Sequence, residues 1–220
     1  MKIILTRLLI VCCIFLVTGA VAQNPVMGTI SYETSSLSKM NINGQEFEQK
    51  MNLNITLDFS GDNYKLSASM VPGGANGGTG IRISGAPQMF QYYVPVEKVF
   101  YQVTAAKGKT YAIRIEPKKI TDFVSTGNTE TMLGYTCNEF TCTYNGETAT
   151  GWYSTALSTV ISPVGSLGLP GGLIKLESKN YKYTATGIKT DTPVKKADLK
   201  LPDAAIKTTR ENFEKEMANN

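Results

Sequence analysis

Histidine is absent from all 220 residues. That gap removes Ser-His-acid and Cys-His nucleophile systems in their usual forms. Most zinc chemistry goes with it, because only four cysteines are present, and Cys12 and Cys13 lie in an apolar N-terminal run. Charge is sparse as well, at 18% of residues and a formal net +4. The basic pairs Lys118-Lys119 and Lys195-Lys196 are short and isolated, which is no nucleic-acid footprint. Past residue 22 no segment reaches the roughly 20 apolar residues that a membrane-spanning helix needs. The glycine-rich stretch Gly73 to Gly80 has no Gly-Lys-Ser/Thr after it. It therefore reads as a loop and not as a phosphate cradle. Nothing in the chain implies a cofactor or a metal.

What is present begins with a secretory leader. Lys2 and Arg7 supply a basic start, Leu8 to Val17 an apolar middle, and Ala20-Val21-Ala22 a small-x-small cut site. The apolar run breaks at Thr18-Gly19, too short to span a bilayer. The expectation is cleavage after Ala22 and export to the periplasm or beyond. Cys12 and Cys13 leave with the leader, and loss of Lys2 and Arg7 takes the formal charge from +4 to +2. Val11 before Cys12, and Cys12 before Cys13, do not form a lipidation site. The expected organisation is a leader at 1–22, one β domain at 23–202 and a helical tail at 203–220.

The main body is written in period two. From Phe47 to Phe59 apolar residues fall at Phe47, Met51, Leu53, Ile55, Leu57 and Phe59, with Glu48, Lys50, Asn52, Asn54, Thr56 and Asp58 between them. Side chains alternate across a strand, so this pattern predicts one dry face and one wet face. A parallel sheet covered on both sides would read as continuous apolar runs. Shorter runs follow around Ile30-Tyr32, Tyr64–Met70, Ile81–Ile83, Met89–Val94, Val99–Val103, Tyr111–Ile115, Tyr135–Tyr144, Thr148–Tyr153, Leu173–Leu176 and Tyr181–Ala185. Turn residues separate them, with Asn145-Gly146 the strongest hairpin signal. The fold class is mainly β: a single curved antiparallel sheet, half-barrel or meander, with a C-terminal helix. Asp203 is the expected cap of that helix over Ala204 to Met217. Thr155 to Ile161 is ambiguous between helix and loop.

Cys137 and Cys142 remain in the mature chain, where export permits oxidation. Five residues of extended strand cover roughly 16 Å, whereas a disulfide holds its Cα atoms within about 7 Å. The apolar phase shifts between Cys137 and Phe140, which suggests a bulge or turn near Asn138-Glu139. A chain reversal there allows the disulfide; otherwise both are small side chains on a β surface. With no histidine to activate it, neither thiol reads as a nucleophile.

Three segments carry a family likeness: Leu133-Gly134-Tyr135-Thr136-Cys137, Gly151-Trp152-Tyr153-Ser154, and Gly168-Leu169-Pro170-Gly171-Gly172-Leu173-Ile174. In order and spacing over about residues 130–177 the chain resembles the GLPGLI family of exported bacterial envelope proteins, with Gly172 as an additional residue. The resemblance implies an exported β scaffold and no established reaction. Read physically, Pro170 presets φ and Gly171 admits positive φ, the signature of a type II turn. Exported sheets of this kind are also similar to the lipoprotein-carrier proteins of the bacterial periplasm, whose half-barrel covers an apolar cavity.

These readings give a candidate ligand face of Phe47, Met51, Leu53, Ile55, Leu57, Phe59 and Met70. It suits a lipid, an acyl chain or a lipoprotein segment, although the same side chains serve equally as core. The alternative is an envelope structural or interaction protein with no small ligand, using edge strands or the tail Arg210 to Lys215. The carboxylates Asp58, Asp62, Glu116, Asp122, Glu139 and Glu147 are available for hydrolysis, but no spacing pairs them. The chain is therefore read as a non-enzyme. The open question for the structure is whether the apolar face encloses a cavity or is plugged by the C-terminal helix.

Overall fold

Alternation dominates the chain, and strands follow from it. The computed structural model describes residues 27–42, 45–71, 89–190 and 192–219. The leader, the Gly73–Gly80 stretch and the expected strand at Ile81–Ile83 lie outside the described residues. Six strands come first: β1 (Met27–Ile42), β2 (Gln45–Ser60), β3 (Asn63–Met70), β4 (Met89–Val94), β5 (Val99–Ala106) and β6 (Lys109–Ile115). The short β7 (Lys118–Lys119) follows, then β8 (Thr121–Met132), β9 (Tyr135–Tyr144), β10 (Glu147–Ser154), β11 (Ser166–Leu167), β12 (Gly172–Glu177) and β13 (Tyr181–Lys189). A 3-10 turn (Lys196–Leu199), β14 (Ile206–Thr208) and helix α1 (Arg210–Ala218) complete the chain.

Twelve of these strands form one open sheet in the order β14-β6-β5-β4-β3-β2-β1-β13-β12-β10-β9-β8, and β11 and β7 make a separate parallel pair. The sheet consists of two antiparallel meanders, β1–β6 and β8, β9, β10, β12 and β13, fused where β1 pairs antiparallel with β13, with β14 added at the β6 edge. The fold is thus a single open, antiparallel-dominated sheet with one C-terminal helix. Tight hairpins set the registers. Asn145 and Gly146 sit at φ 50° and 79°, Lys107 and Gly108 at 49° and 70°, and Leu133 and Gly134 at 52° and 83°. Two successive positive φ values mark the primed turn whose twist matches paired strands. This accounts for Gly134 in the Leu-Gly-Tyr-x-Cys segment.

Several expectations are corrected. The C-terminal helix does not start after Asp203. Ile206–Thr208 instead adds to β6 as a parallel strand, Ile206 opposite Tyr111. The helix begins at Arg210 with Thr209 as its cap, whose Oγ1 accepts from Asn212 N at 3.2 Å. Edge pairing outcompetes local capping at Asp203. Thr155 to Ile161, left open between helix and loop by its sequence, is turn and bend. The expected type II turn at Pro170-Gly171 is absent, since Gly168, at φ 104°, carries the positive angle there and Gly171 does not. Gly171 is required for space: a Cβ there would lie 2.1 Å from the Ser154 carbonyl oxygen. One wet face holds for β3, where Tyr64, Leu66 and Ala68 alternate with more exposed neighbours. In β5 and β6, Val99-Phe100-Tyr101 and Tyr111-Ala112-Ile113 are buried consecutively, because both faces of the sheet are covered there.

Candidate functional site

The proposed ligand face lies on the inner face of β1–β6, and its residues fall into two groups. Ile55, Leu57 and Phe59 are buried, the last two completely. They pack with Ile30, Tyr32, Tyr64, Leu66 and Phe100 in the larger core cluster. Met51, Leu53 and Met70 are half-buried at the end of that row, with Leu53 directly opposite Met70. Phe47 lies on β2 opposite Met40, and its side chain is outside the described residues. The ring centroids of Tyr64, Tyr93 and Phe100 are 5.1 to 5.6 Å apart, within the range of favourable aromatic packing.

The inner face is covered by the chain itself, through the segment 155–165 and not through the C-terminal helix. Leu157, Val160 and Ile161 enter the larger cluster; Val164 and the following Leu169 enter a second one with Phe140, Cys142, Tyr144, Tyr153, Leu173 and Leu176. Loops are rarely buried, because their backbone groups need partners. Here Leu173 N donates to the Ile161 oxygen at 2.9 Å and Gly172 N to the Leu157 oxygen at 3.2 Å. The Tyr32 hydroxyl donates to the Leu173 oxygen at 2.7 Å, and the Tyr64 hydroxyl reaches the Ser162 oxygen at 3.5 Å. Burial pushes both tyrosines well above their ordinary pKa, so they stay neutral donors. Gly172 lets the segment seat, since a Cβ there would fall 2.6 Å from Leu157 Cβ.

Cys137 and Cys142 are both buried free thiols. They sit five residues apart on the continuous strand β9, so their side chains leave opposite faces. Cys137 joins the larger cluster and Cys142 the second. The chain reversal that a disulfide needs is not there. The shift of apolar phase is a change of buried face, and the pairing irregularities belong to β8, between Thr121 and Val124 and between Ser125 and Thr129. Burial raises the pKa of both thiols, which keeps them protonated and unreactive.

The outer face of β2–β6 carries a second cover. The 3-10 turn packs on β2 and β3 and buries Leu199, while Leu201 and Ala205 close over Val99, Tyr101 and Ala112. Clefts open along this cover. One of about 350 Å³ lies between the β2–β3 and β4–β5 turns and residues 199–207, lined by Asn63, Tyr93, Pro95, Leu201 and Asp203 among others. Another of about 250 Å³ is lined by Thr29, Asp58, Lys65, Lys195 and Asp198. Neither contains residues of the proposed ligand face.

The candidate carboxylates are dispersed. Asp58 accepts from Thr29 Oγ1 at 2.7 Å, and Glu116 pairs with Arg114 at 2.7 Å. Glu139 accepts from Asn128 and Thr126, and Glu147 from Ser178 and Asn180. These hydrogen bonds lower the pKa of Glu139 and Glu147, which makes them poor general acids near neutral pH. Among the described residues no group of three or more Cys, Asp or Glu side chains is placed to hold a metal. No helix among them is long and apolar enough to cross a membrane. The sequence reading missed β8 and β14. β8 is an edge strand exposed along nearly its whole length, so it shows no alternation, and β14 is three residues long.

No family model matches the chain, and no curated protein matches it. Among solved structures it is similar to PNGF-II in space group P21, with a TM-score of 0.51 and 14% identity over 88% of this chain and 33% of that one. The C2 form of PNGF-II matches with a TM-score of 0.48, also at 14% identity, over 86% and 33% of the two chains. A DUF1329 family protein from Desulfovibrio piger ATCC 29098 matches with a TM-score of 0.20 and 9% identity over 79% and 89%. The chain spans about a third of the length of PNGF-II. The P21 likeness speaks for the arrangement of the sheet and for nothing further.

Proposed function

We propose that this chain is an exported, non-enzymatic interaction module of the cell envelope, whose sheet acts as a scaffold for contacts with another macromolecule. The observation that carries this reading is the burial of Leu157, Val160 and Ile161 against Ile55, Leu57 and Phe59. An inner face occupied by the chain's own segment is a core, and what remains for recognition is the surface. The leader-like residues 1–22, the lack of histidine and the likeness to GLPGLI proteins support the same reading. Photo-crosslinking in intact cells, with the probe placed along the exposed β8 edge, tests it. A discrete crosslinked partner is expected, and a chain that fractionates to the cytoplasm or never crosslinks overturns it.

A second reading is a carrier of an apolar ligand. Met51, Leu53 and Met70 favour it, as half-buried apolar side chains continuing the filled row. Native mass spectrometry of protein purified from its own host separates the two. Co-purified lipid, displaced by a polar substitution at Leu53, supports the carrier; a bare mass supports the scaffold.

A further inference from the structure

The outer cover is built like a bound peptide. β14 pairs with only three of the seven residues of β6, and in parallel, although the other pairings of the large sheet are antiparallel. Ile206 and Lys207 are exposed. The segment is held from outside: Lys207 Nζ lies 2.5 Å from Glu97 Oε1, and the Tyr101 hydroxyl donates to the other Glu97 oxygen at 2.6 Å. Farther along, Glu216 accepts from the Tyr111 hydroxyl at 2.5 Å and pairs with Lys109 at 3.4 Å. Phe213 meets the Tyr111 ring edge-on at 5.2 Å. Beneath lie Val99, Tyr101 and Ala112, buried and in need of cover.

The connection to this cover is long. Sixteen residues join β13 to β14, and the two strands are seven positions apart in the sheet. Seven spacings amount to about 34 Å, whereas sixteen extended residues reach about 55 Å. The connection is therefore longer than the span requires, and it is held on the way by the 3-10 turn on β2 and β3 and by Leu201 and Ala205 over Val99, Tyr101 and Ala112.

We propose that residues 199–219 are an exchangeable clasp, and that the groove formed by the β6 edge, Tyr101 and Glu97 accepts the same segment from a second copy of this chain. Exchange creates no new type of contact, since every cis interaction is rebuilt in trans, and the reciprocal product is a closed two-fold dimer. This goes beyond the scaffold reading and does not depend on it.

A charge-swap pair tests the proposal. In Glu97→Arg, and separately in Lys207→Glu, the clasp faces a like charge within its own chain. When the two variants are mixed, exchange brings opposite charges together in both grooves at once. Native mass spectrometry of the mixture is expected to show a 1:1 heterodimer at a level several-fold above the dimer of either variant alone. Placing both substitutions in one chain restores the cis pair and is expected to return a monomer, which also checks that the variants fold. If the single variants do not fold, wild-type protein concentrated, incubated and then diluted serves instead, and is expected to retain a slowly dissociating dimer. A mixture that remains a sum of its separate components, or a wild type that stays monomeric throughout, overturns the proposal.

Discussion

Residues 155–165 and residues 192–205 both cross β1–β6, one on each face, and they are attached by different forces. The inner segment contributes the fully buried side chains Leu157 and Ile161 and has its carbonyls bonded by Leu173 N, Gly172 N and the buried Tyr64 hydroxyl, while Tyr32 donates to the Leu173 carbonyl beside it. The outer segment buries Leu199, leaves Leu201 and Ala205 half-buried, and leads to a strand fastened by an exposed ion pair. Buried apolar contact stabilises by about 25 cal/mol per Å² removed from water, whereas surface ion pairs contribute about 0–1 kcal/mol and weaken with salt. The inner cover is thus fastened chiefly by buried apolar contact, whereas the outer cover combines a smaller apolar contact with exposed polar ones.

Substitutions can break or sharpen that contrast. Leu157→Ala removes a fully buried side chain from the middle of the plug, with an expected loss of about 3–4 kcal/mol in urea unfolding. Gly171→Ala forces a Cβ against the Ser154 backbone, and a loss of about 2–3 kcal/mol is expected by the same measurement. Tyr32→Phe leaves the Leu173 carbonyl without its side-chain donor, and about 1–2 kcal/mol is expected. Lys207→Ala on the outer cover is expected to cost less than about 1 kcal/mol, and 1 M salt should erase the difference. If Lys207→Ala costs as much as Leu157→Ala, the distinction between the covers fails.

The smallest effect expected is that of pH. Glu97 is held below the ordinary carboxylate range chiefly by hydrogen bonds from Lys207 and Tyr101, and Glu216 chiefly by Tyr111. A carboxylate with a lowered folded-state pKa stabilises fully above its unfolded value, about 4.3, and loses that contribution as pH falls through the folded value. Amide exchange at Ile206–Thr208, corrected for intrinsic rates, should accelerate in that acid window before exchange at Leu157–Val164 does. Simultaneous acceleration of both segments would show that the covers open together.

Strand periodicity was the most legible signal. Met89–Val94 and Tyr135–Tyr144 occupy the ranges that their apolar residues and flanking turns predict, although β4 buries the adjacent Tyr92 and Tyr93 and β9 changes its buried face between Cys137 and Phe140. Asn145-Gly146 was equally plain, since a primed turn requires two positive φ values and few residues tolerate them. The candidate site was legible only in part. Alternation placed Ile55, Leu57 and Phe59 on one face but said nothing of what lies against it. The cover comes from Leu157 to Ile161, about a hundred residues away in a stretch without period.

Local chemistry, then, determined on its own that this chain forms a β meander, lacks a histidine-based nucleophile and turns at its Asn-Gly and Lys-Gly pairs. Each of these depends on a residue and its immediate neighbours. Only the tertiary structure decided that the apolar face is filled, that Cys137 and Cys142 part to opposite faces, and that the C-terminal residues complete an edge before becoming a helix. Those outcomes rest on contacts between distant segments, whose free energy depends on which surfaces meet. A one-dimensional pattern records how apolar a face is, and not its occupant.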